Sequence, residues 1–294
     1  MTTTWIRHSA RRVVAMAVML GFAIAVSGGS SAPATAADAR ASAAEDLVTI
    51  YHIEGRRSIR VIWLCEELGI PYKLLFKQGD IKGSMQTIRE VNPLMPMAPT
   101  VSYRGHILVE SGGILELLQA RYGKGRLAPA VSSDDYPFHL QWLHFAEGTA
   151  MYRMWAARFA AMVAKIPVEE VPTGYTADGK NQGLVSTQAV FDFLEAYLAQ
   201  HPYFGGQEFS TADIMMHFAV NASKLTAGFD NSAFPRIQAW RKTVESRPAF
   251  KRAMQAAVPG GYNEYGLPSG MPLPFPEPKG PRPMPSALPA AAAR

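Results

Sequence analysis

Apolar positions change period part-way along this chain. Between residues 47 and 126, short β-branched runs alternate with stretches of helical period, and after residue 134 only the helical period remains. Leu47 to Tyr51 reads as a strand. A polar turn, Glu54-Gly55-Arg56-Arg57, leads to a helix from Ser58 to Leu68, capped by Ser58 and stopped by Gly69 with Pro71 just beyond. Val61 to Cys65 is apolar on nearly every side, so this helix must be covered on more than one face. Lys73 to Phe76 reads as a second strand, which makes a βαβ unit with parallel strands. A short helix near 85–90 follows. Then come strands Ala98 to Tyr103 and His106 to Val109 around a tight Arg104-Gly105 turn, and a helix from Ser111 to Tyr122 with Ile114, Leu115, Leu117 and Leu118 facing inward. The order βαβ-ββα predicts a mixed four-stranded sheet with helices on its faces.

Residues 124–135 form a linker, and no convincing strand follows it. Phe138 to Ile166 is one long helical run closed by Pro167. After a polar break, Thr187 to Gln200 is amphipathic, with Val190, Phe191, Leu194, Tyr197 and Leu198 on one face. Ser210-Thr211-Ala212-Asp213 opens another helix, and Ile237 to Ser246 and Ala249 to Ala256 are shorter ones that begin near prolines. The expected organisation is an α/β domain over 46–126 and an all-helical bundle over 134–258.

The ends differ from this middle. Arg7, Arg11 and Arg12 precede an unbroken run of apolar and small residues, Val13 to Val26, and Ala34-Thr35-Ala36 fits a small-residue cleavage site. Residues 1–45 are therefore expected to be a signal peptide and leader that sends the chain to the periplasm or outside the cell. The alternative is a membrane anchor that is not removed. From Pro259 to 294, proline and glycine are dense and periodicity is lost, as expected of a mobile Pro-rich tail.

Composition narrows the chemistry. A hydrophobic fraction of 48% with 18% charged residues describes a globular protein of 294 residues. The first 36 residues hold three arginines and no acid, which accounts for three of the five net positive charges and leaves +2. No basic stripe remains of the kind nucleic acid requires, and after loss of the leader no membrane partner is expected. Cys65 is the one cysteine, so an internal disulfide and a CxxC pair are excluded, and its apolar surroundings make it a buried hydrophobe. His139, His144 and Glu147 share a helical stretch without metal-site spacing, so no metal is expected.

Two segments suit a ligand. In Asn92-Pro93-Leu94-Met95-Pro96-Met97-Ala98-Pro99-Thr100, a proline enters a strand, and a cis Ala98–Pro99 bond would turn the backbone of Ala98 outward to pair with an extended peptide. Glu110-Ser111 stands at a strand-to-helix junction, where Ser111 as N-cap and the first amides attract a carboxylate while Glu110 can pair with an ammonium. Together they fit a peptide with a free amino-acid end.

The run from Tyr51-His52-Ile53-Glu54-Gly55-Arg56-Arg57-Ser58 through Leu68-Gly69-Ile70-Pro71-Tyr72 resembles the first strand and helix of the glutathione transferase family. Glu110-Ser111 followed by Ile114 and Ser210-Thr211-Ala212-Asp213-Ile214 are similar to further motifs of that family. Trp142-Leu143-His144-Phe145-Ala146-Glu147-Gly148 resembles a helix of a bacterial and fungal subgroup. The resemblance covers roughly residues 46–258. It implies a thioredoxin-like first domain, a helical second domain, glutathione as co-substrate and a homodimer. It also implies that Ala98 with Pro99 holds the cysteinyl backbone of glutathione and that Glu110 and Ser111 hold its γ-glutamyl end. The implied reaction joins the glutathione thiolate to a small apolar electrophile, with an aromatic-rich pocket between the domains drawn from residues such as Trp142, Phe145, Met151, Tyr152, Met154 and Trp155. A non-catalytic carrier of apolar ligands, or a glutathione-dependent reductase or peroxidase, is the alternative. Two departures stand out: Arg56 where a small polar residue is expected, and Pro96, in a loop one residue longer than usual, where a basic residue is common. The candidates for activating the thiol are Ser58, Tyr51 and the charge of Arg56.

Overall fold

A computed structural model describes residues 47–166, 186–263 and 267–269. The expected leader over 1–45, the polar break after Pro167 and most of the Pro-rich tail lie outside the described residues.

Strand β1 (Val48–Tyr51) pairs in parallel with β2 (Tyr72–Leu75) and antiparallel with β3 (Thr100–Tyr103), which pairs antiparallel with β4 (His106–Leu108). The order β2-β1-β3-β4 is the expected mixed four-stranded sheet. Val48 and Ile50 alternate into the core with Val101 and Tyr103 from the neighbouring strand. Arg104 and Gly105 both take positive φ (49° and 76°), which gives the tight hairpin its twist.

Helix α1 (Ile59–Leu68) is buried from Arg60 through Cys65 because it is covered on two sides: α3 (Ser111–Tyr122) on one, and the helical half on the other. Gly69 ends it at φ 70°, a left-handed cap that glycine adopts without strain. Ser58 does not cap it; its hydroxyl is turned inward. Helix α2 (Ile81–Val91) is longer than expected because Asp80, rather than a residue inside it, caps its first turn through the Gly83 amide.

The long helical run is not one α-helix. It comprises α4 (Tyr136–Phe145), a π-helical turn (Ala146–Met151) and α5 (Tyr152–Ala164). Then come α6 (Thr187–Leu198), α7 (Thr211–Asn221), a short α8 (Ser223–Ala227) that the pattern did not reveal, α9 (Pro235–Glu245) and α10 (Pro248–Ala257). Ser210 and Asp213 form a reciprocal capping box at the start of α7. Asp213 is fully buried and also accepts from the Phe204 amide (2.8 Å) and Trp240 Nε1 (2.9 Å), so one carboxylate ties three segments together. Both carboxylate oxygens of Glu195 on α6 receive the free amides that open α9.

Trp63 of α1 packs among Phe209, His217 and Phe250, and through them the sheet half and the helical half share one core. Residues 259–263 and 267–269 fold back on this core rather than leaving it: Tyr262 bridges to Pro268, and Leu267 is buried against the Gly55 turn.

Candidate functional site

An arginine inside an otherwise apolar helix must find partners, because a bare buried charge is prohibitively costly. Arg60 is fully buried. Its Nη1 donates to Glu147 Oε1 (2.5 Å) and to Ser111 Oγ (3.0 Å), and its Nη2 donates to the Met215 carbonyl (2.7 Å). Its Nε has no partner among the described residues. Arg57, just ahead of α1, donates from Nε to the same Glu147 oxygen at 2.8 Å. Both guanidiniums lie over the Phe218 ring, at 5.5 Å and 5.0 Å from its centroid. Burial pulls Arg60 down to about 10, against the opposing pull of Glu147, so it stays charged at neutral pH. Burial alone would raise the Glu147 carboxyl, but Arg60 and Arg57 outweigh it and hold the group below its ordinary range.

The π turn places Glu147 here. An extra residue per turn rotates the following side chains relative to an α-helix, and such insertions recur at functional sites. Arg57 and Arg60 outnumber Glu147 beside the N-terminus of α3, whose dipole adds to the positive potential, and the Glu110 carboxylate at that terminus offsets it. Ser111 Oγ already accepts from Arg60, and among the described residues its own proton faces only the Met215 sulfur at 3.8 Å, a weak acceptor. A carboxylate oxygen is a far better partner for that proton.

The expectation that Ser111 caps α3 needs correction. Glu110 holds the cap position without a side-chain cap bond, and Ser111 is the first helical residue. Glu110 is exposed and takes φ 70°, ψ 100°, a conformation costly for a residue with a Cβ, on the order of 1–3 kcal/mol. Such strain is held in place by its surroundings and concentrates where a side chain must be aimed.

Upstream, the Ala98–Pro99 bond is cis, Pro99 is buried and Ala98 is half-buried at the entry to β3. Thr100 Oγ1 closes the loop onto the Met97 carbonyl at 2.7 Å, and Asn92 holds the loop's other end through Met95. Tyr51 ends β1, half-buried, with Leu75 and Thr100 as register partners. Arg56 is exposed and donates to its neighbour's carbonyl, Gly55 O, at 3.1 Å.

Ser58 is wholly buried, and its Oγ lies 2.7 Å from His52 Nδ1. His52 Nε2 faces the Ala257 carbonyl at 2.8 Å, which can only accept. The imidazole is therefore neutral with its proton on Nε2, and Ser58 donates to Nδ1. Burial pushes this histidine down to about 4, which agrees with a neutral ring. The Ser58 hydroxyl thus leads into the core and to α10, while Glu110 and Ser111 lead to Arg60 and Glu147. His139, His144 and Glu147 go separate ways: His139 meets Ser210, His144 meets Glu116, and Glu147 meets the arginines. Of the aromatic and methionine side chains expected to line a cleft, Trp142, Met151 and Met154 are core, whereas Tyr152 and Trp155 are exposed.

Comparison with known proteins agrees with this architecture. A profile of the family "Glutathione S-transferase, C-terminal domain" matches residues 159–248. Glutathione S-transferase 3 of Schizosaccharomyces pombe is 25% identical over 217 residues, 71% of this chain and 87% of that protein. Glutathione S-transferase GstB of Escherichia coli K12 is 26% identical over 220 residues, 72% of this chain and all of that protein. Over residues 159–248 the chain thus matches that family's C-terminal domain, and the relatives that align with 71% and 72% of it are glutathione S-transferases. Its fold is that of the theta class glutathione S-transferase from Xanthomonas axonopodis pv. citri, solved with glutathione bound (TM-score 0.52, 24% identity, 70% of this chain and 96% of that one). It is also that of a glutathione S-transferase from Actinobacillus pleuropneumoniae (TM-score 0.56, 23% identity, 74% and 98%). Within this glutathione S-transferase fold, sequence reasoning missed Arg60, Glu147 and His52 as site-forming residues. The signal for Arg60 was its place against the apolar run Val61 to Cys65. Nothing in the local sequence announced the π turn that aims Glu147.

Proposed function

We propose that this protein is a glutathione transferase, with Ser111, the α3 N-terminus and the Arg60–Glu147 cluster receiving the γ-glutamyl carboxylate of glutathione. The observation that carries this reading is the buried Arg60 bound to Ser111, whose own proton has only the weak Met215 sulfur as acceptor among the described residues. Glu110 receives the glutamyl ammonium, and the Ala98 backbone pairs with the cysteinyl unit. In the reaction the glutathione thiol loses its proton, the thiolate sulfur forms a bond to an electrophilic carbon, and that carbon's leaving group departs with its electron pair. A nearby positive charge favours the thiolate over the thiol. Because the Ser58 hydroxyl is engaged with His52, we assign this role to Arg57, whose side chain is about one-quarter exposed (28%), with Tyr51 as the alternative donor. The reading includes export and a homodimer. The apolar stripe Tyr152, Trp155, Phe159, Met162 and Val163 on the exposed side of α5 supports burial against a second copy.

One observation favours a second reading, a carrier that binds apolar molecules without catalysis: the Ser58 hydroxyl is turned to His52 rather than left for the thiol, and Pro96 offers no charge for the glycyl carboxylate. Calorimetry of glutathione with the chain from residue 37 tests the site, with Glu110→Ala and Ser111→Ala as controls. Binding weakened by both supports the assignment, and no binding at millimolar glutathione refutes it. Ultraviolet titration of the bound thiol then separates transferase from carrier. A thiol pKa lowered in the parent and restored in Arg57→Met marks the transferase, and an ordinary pKa marks the carrier.

A further inference from the structure

A peptide that pairs antiparallel with the Ala98 backbone sets its next residue opposite Met97 and runs on past Pro96 towards Met95. In glutathione that next residue is the glycine, with its free carboxylate. The segment it meets is fixed in place. Thr100 Oγ1 donates to the Met97 carbonyl at 2.7 Å. The Asn92 side chain donates to the Met95 carbonyl at 2.6 Å and accepts from the Met95 amide at 3.3 Å.

These bonds engage most of what is polar in the segment. From Asn92 to Pro99 there is no charged side chain, and Pro93, Pro96 and Pro99 have no N–H to donate. Asn92 is the one polar side chain, and it is turned to Met95. What faces solvent is apolar: Leu94 is 94% exposed and Met95 57%, with Pro96 and Met97 half-buried beside them. A carboxylate arriving here meets neutral backbone amides and no cation of this segment. The nearest cation in the sequence, Arg89, is exposed in the last turn of α2, where that helix's own C-terminal carbonyls favour it.

The two ends of the ligand are therefore treated differently. The γ-glutamyl carboxylate has Ser111 braced by the buried Arg60, whereas the glycyl end has methionine, leucine and proline side chains. Resting on the glutathione site proposed above, we infer that the thiol donor is recognised as a γ-glutamylcysteinyl unit, and that Pro96 and Met97 make the site indifferent to the charge of the third residue. The donors are then γ-glutamylcysteinyl thiols as a class, including those whose third unit is uncharged or apolar, and not glutathione alone.

The test is calorimetry of the full chain with glutathione and, separately, with glutathione ethyl-esterified at its glycine carboxylate. The ester keeps every peptide group and loses only the charge. A carboxylate clamped by a cation is worth about tenfold or more in affinity. Without a clamp, glutathione should bind no more than about threefold tighter than the ester. Ser111→Ala should weaken both ligands alike, since they share the γ-glutamyl end. Met97→Lys, which places a charge opposite the glycine, should raise the preference for glutathione about threefold or more over the parent's. If that variant does not fold, the ratio in the parent decides the matter. Glutathione more than about threefold ahead of the ester in the parent overturns the inference, because a cation such as Arg89 then reaches the carboxylate. So does a folded Met97→Lys that keeps the parent's ratio, because Met97 then lies away from the glycyl end. Binding of neither ligand at millimolar concentration refutes the glutathione site itself and the inference with it, a result distinct from the others, in which glutathione binds.

Discussion

Removing the Glu147 carboxylate is the sharpest test of the cluster at the α1 entry. Arg60 is fully buried and its pair shares a single carboxylate oxygen with Arg57. Breaking a buried ion pair on one side costs about 3–5 kcal/mol, mostly because the surviving charge stays buried. Glu147 is 31% exposed and Arg60 keeps Ser111 and the Met215 carbonyl, so Glu147→Ala should cost less, about 2–3 kcal/mol. For a folded unit of this size that is a fall in Tm of roughly 5–10 °C. Urea unfolding at pH 7 measures it directly. Arg60→Met with Glu147→Leu should be more stable than Glu147→Ala alone, since it removes both charges instead of stranding one. The parent should lose this stabilisation as pH falls below the ordinary carboxylate range, because a carboxyl held low in the folded state protonates more readily when unfolded. The same variant should weaken glutathione binding about fivefold, since Ser111 loses the braced guanidinium that orients it. The reasoning fails if Glu147→Ala lies within about 0.5 kcal/mol of the parent, the range of an ordinary surface change, or if the double variant is no more stable than the single one.

His52 sits near 4 because it is buried, against about 6.5 when unfolded, so the unfolded chain takes up its proton first as pH falls from 6.5 to 4. Stability should drop over that window by about 3 kcal/mol from this group, and His52→Asn should flatten the parent's slope in urea midpoints measured between pH 7 and 5; an unchanged slope refutes it. Gly55 has φ 68°, and an added Cβ would stand 2.6 Å from Leu267 Cδ2, so Gly55→Ala should lose about 1–2 kcal/mol and expose residues 267–269 to protease. Cys65 is fully buried with its thiol pushed up to about 12 by burial and then by Glu66; it should resist aromatic disulfide reagents in the native state and react only as the chain unfolds. N-terminal sequencing of exported protein should find a chain that begins at Ala37, after the Ala34-Thr35-Ala36 site.

The elements with strong periodicity or explicit punctuation were legible. The βαβ-ββα order followed from alternation in β1, the left-handed stop at Gly69 and the Arg104-Gly105 turn, all local features. The start of α7 was legible because a capping box is written in four consecutive residues. What escaped depended on contacts distant in sequence. Whether Ser58 caps a helix or feeds a histidine is decided by the Ala257 carbonyl, 205 residues from His52, which fixes the imidazole tautomer. The π turn leaves no periodic signature of its own, since six residues are too few to separate one helical period from another.

These distant contacts also explain why the α1 entry departs from a simple serine site. A hydroxyl can activate a thiol only if it faces the ligand. Here the last turn of α10 presents its free Ala257 carbonyl to His52 Nε2, which forces Nδ1 to accept and draws Ser58 into the core. Of the two cations of this turn, Arg56 and Arg57, it is Arg57 that is held in place, by Glu147 from the π turn. If that exchange of a hydroxyl for a guanidinium is functional, Arg57→Lys should retain part of the thiol pKa depression, because a point charge survives while the directed Nε bond is lost. Ser58→Ala should leave the thiol pKa unmoved and instead lower stability, because His52 Nδ1 loses its donor. The opposite pattern, with Ser58→Ala raising the thiol pKa and Arg57→Lys leaving it unchanged, would mean that Ser58 turns outward when glutathione arrives and that the inward hydrogen bond belongs only to the free protein.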